Sequence, residues 1–160
     1  MSQPATPRRP LLCSRAAPIL AVSLLVVGCG GSLTEVKLSY PDVNGVYDLT
    51  ALITSSDPAW GIPHGTRQTA VLTIRHASGP QFDGTFSDFQ ATEPGSPPTE
   101  PRTGSVSGTV HPNGQILLEL TFAGSGSSYW TGGGKLESRQ IAGTYGAGGH
   151  ISGTFTAQRR

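Results

Sequence analysis

From residue 45 onward, apolar and polar residues alternate with a period of two, and clusters of Gly, Pro, Asn and Ser interrupt the alternation at intervals. No ten-residue window of this region carries the 3.6-residue apolar period of a helix, so the pattern predicts an all-β domain. Eight strands are expected, at about 45–54, 67–77, 81–89, 103–111, 115–122, 128–136, 139–145 and 149–157. Their apolar faces are marked by Leu72 and Ile74, by Val106 and Val110, and by Ile116, Leu118, Leu120 and Phe122.

A short phrase recurs in these strands: a large residue, any residue, Gly, any residue, a large residue. It reads Val43-Asn44-Gly45-Val46-Tyr47, Phe82-Asp83-Gly84-Thr85-Phe86, Val106-Ser107-Gly108-Thr109-Val110, Ile141-Ala142-Gly143-Thr144-Tyr145 and Ile151-Ser152-Gly153-Thr154-Phe155. Each Gly lies in phase with its two large neighbours and faces the same side. A missing side chain there lets the sheet bend sharply and lets neighbours fill the gap. Strong curvature favours a closed barrel.

The connections alternate in length. Strands 2–3, 4–5 and 6–7 are joined around Ser78-Gly79-Pro80, Pro112-Asn113-Gly114 and Glu137-Ser138, and Asn-Gly is the strongest of these hairpin signals. The other joins are longer, notably Ser55 to Thr66 and the Pro-rich Ala91 to Arg102, with Gly146-Ala147-Gly148-Gly149 before the last strand. In an eight-stranded antiparallel up-and-down barrel all the long loops gather at one end, so one mouth is tight and the other elaborated. A β-sandwich of the same strands is the alternative, distinguished by whether strand one pairs with strand eight. A membrane-spanning barrel fits badly, because aromatic girdles are missing and the outward faces are rich in Ser and Thr.

The N-terminus follows different rules. Residues 1–28 hold Arg8, Arg9 and Arg15, no acid, and an apolar run from Ala16 to Val27, the order of an export signal. Twelve residues reach about 18 Å as a helix, short of the roughly 30 Å of a bilayer core. The segment is expected to be cleaved. Val26-Val27-Gly28-Cys29 resembles the lipobox of bacterial lipoproteins, in which a small residue precedes the cut and a Cys follows it. The resemblance implies cleavage between Gly28 and Cys29 and a lipid on the Cys29 sulfur, with several acyl chains making a durable anchor at about 0.8 kcal/mol per buried CH₂. Arg8-Arg9-Pro10-Leu11-Leu12 also resembles a twin-arginine signal, but no cofactor-binding motif follows that would require folding before export. Gly30 is not the Asp that resembles an inner-membrane retention signal, which points to the outer membrane in a host with two. The expected organisation is a signal at 1–28, the lipidated Cys and a tether at 29–42, and a barrel domain at 43–160.

Without the signal, eight basic residues stand against ten acidic ones, a charge of about −2 rather than the +1 of the whole chain. A weakly acidic domain with no Lys/Arg cluster lacks the electrostatic footprint of a nucleic-acid binder. Cys13 and Cys29 are the two cysteines; loss of one and acylation of the other leave no intramolecular disulfide.

The opening Gly45-Val46-Tyr47 and the late Arg159 resemble the calycin group, lipocalins and avidins, whose first strand carries Gly-x-Trp and whose lipocalin members set an Arg against that Trp. The resemblance spans residues 43–159 and implies a small meandering barrel, with Arg159 lying near Tyr47, which stands where Trp is usual. The helix that follows a lipocalin barrel is not expected within these residues.

Candidate binding residues gather at the elaborated mouth: Trp60 and His64 in the first long loop as a lid, Tyr129 and Trp130 at the start of strand six as an aromatic lining. The competing reading has Trp60 plugging the barrel and Trp130 packed in its core. The interior is either filled by side chains or holds one small ligand. His64, His76, His111 and His150 show no metal-ligand spacing, and His76, in phase with Leu72 and Ile74, reads as a hydrogen-bonded inward histidine. No nucleophile elbow, His-Glu-x-x-His, phosphate loop or reactive thiol is present. No enzyme activity and no cofactor are expected. The leading expectation is an envelope lipoprotein binding a small apolar molecule or a protein partner at the mouth, and the alternative is a filled interaction module using loops 55–66 and 91–102.

Overall fold

The computed structural model describes residues 38–125 and 128–160. The export signal, the cleavage point at Gly28 and the lipid-bearing Cys29 lie outside these residues. Eight strands follow one another: β1 (Gly45–Ser56), β2 (Arg67–Arg75), β3 (Gln81–Thr92), β4 (Arg102–Val110), β5 (Gln115–Phe122), β6 (Ser128–Glu137), β7 (Gln140–Ala147) and β8 (Ile151–Arg159). Each pairs antiparallel with its neighbours in sequence, and β1 pairs with β8, so the sheet closes as an up-and-down barrel. That closure excludes the sandwich. No helix among the described residues is long and apolar enough to cross a membrane.

The interior follows the period-two phase. Tyr47, Leu49, Ala51 and Ile53 of β1, Ile116, Leu118, Leu120 and Phe122 of β5, and Phe155 and Ala157 of β8 are all buried. The in-phase glycines serve close approach. A methyl carbon at Gly143 would fall 2.0 Å from the Gly133 carbonyl oxygen, and one at Gly153 would fall 2.0 Å from that of Leu52 and 2.7 Å from the Tyr145 ring. Neighbouring strands press onto these α-carbons and aromatic rings occupy the side-chain space, so curvature and filling come from the same residues.

The tight end is sealed by the chain entering β1. Val43 is buried, and the Tyr47 hydroxyl donates to its carbonyl at 3.0 Å. Asn44 Nδ2 donates to the His76 carbonyl at 2.6 Å and Asn44 Oδ1 accepts from the His76 amide at 2.6 Å, so one side chain satisfies the backbone where β2 ends. His76 is nearly buried, with Nε2 2.8 Å from the Gly79 oxygen. Arg159 is the register partner of Tyr47, and its stem crosses Gly45, where a methyl carbon would meet Arg159 Nε at 2.7 Å. Asp48 is clasped by Arg160, with Oδ1 2.6 Å from Nη2, and this pairing holds the carboxyl below its usual range.

Sheet irregularities collect at the other end. Register shifts occur at Ile53–Ser55 of β1, between Phe86 and Phe89 of β3, and where β6 begins opposite Leu120 and Thr121. Bulges re-aim side chains and are common at barrel rims. At β3, Asp88 takes a left-handed φ of 54°, a conformation Asp tolerates better than most residues. Strict alternation would have turned Asp88 inward after Phe86. With the bulge, Asp88 faces solvent and Phe89 is buried.

Candidate functional site

The re-aimed Phe89 joins an aromatic cluster under the elaborated mouth. Its ring meets Phe122 edge-on at 4.8 Å and Phe86 at 6.0 Å, and Phe122 meets Tyr129 edge-on at 5.3 Å. The Arg102 guanidinium sits 4.1 Å above the Phe122 ring in a cation–π contact at the mouth.

Two loops rise around this floor. In the β1–β2 loop, Pro58–Trp60 form a short 3₁₀ turn capped by Asp57, whose Oδ1 accepts from the Ala59 amide at 2.9 Å. The Ser56 hydroxyl donates to the Ile62 carbonyl at 2.7 Å and the Thr66 hydroxyl to that of Pro63 at 2.8 Å, folding the loop back on itself. The β3–β4 loop is closed by Thr99, whose amide donates to the Ala91 carbonyl at 2.8 Å while its hydroxyl accepts from the Ala91 amide at 2.9 Å.

Between them lies a cavity of about 400 Å³, walled by Ile53, Ile62, Phe89, Ala91 and Tyr129, with Thr66, Gln68 and Thr99 among them and Glu93, Glu100 and Arg102 completing its lining. It is small for a ligand pocket, mostly apolar, with a few polar groups. A hollow of about 610 Å³ lies along the outer faces of β5–β7 beside Leu117, Gly133 and Lys135. Its charged and polar lining, His111, Gln115 and Lys135, is exposed. The mouth cavity, by contrast, holds a buried polar side chain.

That side chain is Gln68, only 4% exposed, whose Oε1 has no hydrogen-bond partner. Leaving a buried acceptor unpaired costs about 1–3 kcal/mol. Trp130 Nε1 and the Tyr145 hydroxyl are likewise unpartnered, but these two rings stack on each other at 4.7 Å inside the packed barrel. Of the three, Gln68 alone borders the cavity.

No protein-family model and no curated protein matches this chain. The site therefore stands on its own geometry.

The structure separates the four residues singled out by sequence. Tyr129 lines the cavity. Trp60 is 47% exposed and does not plug the barrel; it stacks on His150 at 4.7 Å beside Gly148, which also borders the Tyr129 ring. His150 Nδ1 lies 3.5 Å from Asp57 Oδ2, tying the β7–β8 turn to the first loop. His64 is exposed on that loop and is not part of the cavity wall. Trp130 is fully buried, stacked on Tyr145 and edge-on to Phe155 at 5.2 Å, so it belongs to the core and not to a lining. Its inward phase with Gly132 and Gly134 is the reason: a methyl carbon at Gly132 would stand 2.7 Å from the Trp130 ring. Among the described residues no three His, Cys, Asp or Glu side chains converge on a metal site.

Sequence reasoning missed Gln68, Phe89 and Arg102. For Gln68 the signal was available, a polar residue in phase with Ala70, Leu72 and Ile74. For Phe89 it was not, because the period-two phase that turns Phe82 and Phe86 inward turns residue 89 outward, although Asp88 itself reads from the sequence as solvent-facing and is exposed.

Proposed function

We propose that the chain is an envelope lipoprotein, anchored to a membrane through acyl chains on Cys29, whose barrel domain binds a small molecule non-covalently at its open mouth. The observation that carries the binding reading is the mouth cavity, apolar in most of its wall yet bordered by Gln68, a buried side chain whose amide oxygen has no partner. The Val26-Val27-Gly28-Cys29 lipobox supports the anchor, and the Gly45-Val46-Tyr47 and Arg159 resemblance to the calycin group supports a binding barrel. In a host with two membranes the lipobox followed by Gly30 favours the outer one.

Expression of the full precursor in a related bacterium tests both parts. Labelled palmitate should enter the protein and the membrane fraction should hold it, and Cys29→Ala should abolish both. Native mass spectrometry of the mature protein should reveal an extra mass that disappears on denaturation; a bare mass over several preparations would count against a carrier. The filled interior beneath the mouth favours a second reading, an interaction module that meets other envelope proteins through loops 55–66 and 91–102. A bare mass together with specific cross-links from those loops to one partner would select it.

A further inference from the structure

We infer that Gln68 is the polar anchor of the mouth cavity, and that the cavity takes an uncharged molecule with one hydroxyl on a small apolar body, an alcohol or phenol. The assignment rests on the mouth being a binding site, as proposed above.

The large majority of buried side-chain polar atoms have a partner, so a cavity-lining residue whose amide is left unpaired, as Gln68 is, marks a place where a ligand can complete the bonding once the amide turns toward it. Of the neighbouring threonine hydroxyls, that of Thr66 donates to the Pro63 carbonyl and that of Thr99 accepts from the Ala91 amide. Ile53, Ile62, Phe89 and the ring of Tyr129 make the apolar part of the wall, which suits a ring or short chain. A volume of about 400 Å³ confines that body to a small molecule rather than a long acyl chain.

Charge narrows the head group. Glu93 and Glu100 outnumber Arg102 among the charged residues that line the cavity, so an entering carboxylate meets net like charge. A hydroxyl donates and accepts through the same oxygen and therefore suits either orientation of the Gln68 amide, whose oxygen and nitrogen exchange on a half-turn.

The mature lipoprotein in lipid nanodiscs, with glutamine side chains labelled with nitrogen-15, is titrated with 4-ethylphenol, 4-ethylanisole and 4-ethylbenzoate, and the Gln68 amide signal is followed. The phenol should shift that signal with the lowest Kd, at least tenfold below the ether, and the benzoate should bind most weakly. Gln68→Leu should weaken phenol binding at least tenfold and leave the ether unchanged, with Gln68→Met as the second variant if Leu impairs folding. Equal affinity for phenol and ether, or phenol binding unchanged by both variants, overturns the anchor while the mouth remains a binding site. Tightest binding of the benzoate overturns the ligand class. Failure of every probe, together with a bare native mass, overturns this inference and the binding reading alike.

Discussion

The ring of Phe82 on β3 occupies the side-chain space of Gly108 on β4: a methyl carbon at Gly108 would stand 2.4 Å from Phe82 Cζ and 2.1 Å from the Leu117 carbonyl oxygen. The two residues are register partners, so the β3–β4 pairing also seats the ring. Gly108→Ala should therefore destabilise the domain by about 1–3 kcal/mol through overpacking. Gly133 on β6 is the control, since a methyl carbon there meets only Leu117 Cδ2 at 3.7 Å. Gly133→Ala should be neutral or stabilising by up to about 1 kcal/mol. Urea denaturation of the two variants reads the contrast, and equal midpoints would refute the role of close packing.

The two tryptophans should separate cleanly in stability and fluorescence. Trp130→Ala removes a fully buried ring from the stack with Tyr145 and should cost about 3–5 kcal/mol. Trp60→Ala removes a half-exposed ring and should stay within about 0.5 kcal/mol of the parent. In Trp60→Phe the surviving emission should be blue-shifted and resistant to acrylamide. Ready quenching of that emission would place Trp130 at the surface.

The strands and the closure were legible because nothing competes with the alternation over most of their length. Ile116, Leu118, Leu120 and Phe122 have the phase in the barrel that they have on paper, and Asn113-Gly114 forms its turn with Gly114 at a φ of 83°. The mouth was less legible, because it is assembled where alternation breaks. Tyr129 was found by its ring and its place beside a long loop. Phe89 depends on a bulge that a period-two reading cannot foresee, and Arg102 depends on the cluster that the bulge creates. Trp130 is the converse case, a residue close to the mouth in sequence that its phase with Gly132 carries into the core.

Asp88 tests that bulge directly. A β-branched residue resists the left-handed conformation at this position by roughly 1–2 kcal/mol, and Asp88→Val should lose about that much stability. Asp88→Gly should keep the bulge with little change, since Gly adopts a positive φ without a steric penalty. Amide hydrogen exchange along β3 should show local opening around Phe86–Phe89 in the Val variant alone. Unchanged stability and exchange in Asp88→Val would mean that the bulge does not depend on this residue.

Alkaline pH should weaken the barrel through its buried phenols. Burial first, and the neighbouring Tyr129 second, push Tyr145 from its ordinary 10.0 up to about 12, and burial raises Tyr47 in the same direction. The unfolded chain gives up these protons near pH 10 while the folded barrel holds them. The stabilisation is thus complete below pH 10 and is lost as pH rises from 10 toward 12, at about 1.4 kcal/mol per pH unit for Tyr145. Tyr145→Phe removes the titrating group together with a hydroxyl that has no partner, so its stability near pH 7 should match or exceed that of the parent. Urea midpoints measured from pH 8 to 11.5 should fall less steeply in Tyr145→Phe than in the parent, and parallel curves would assign the alkaline loss to other groups.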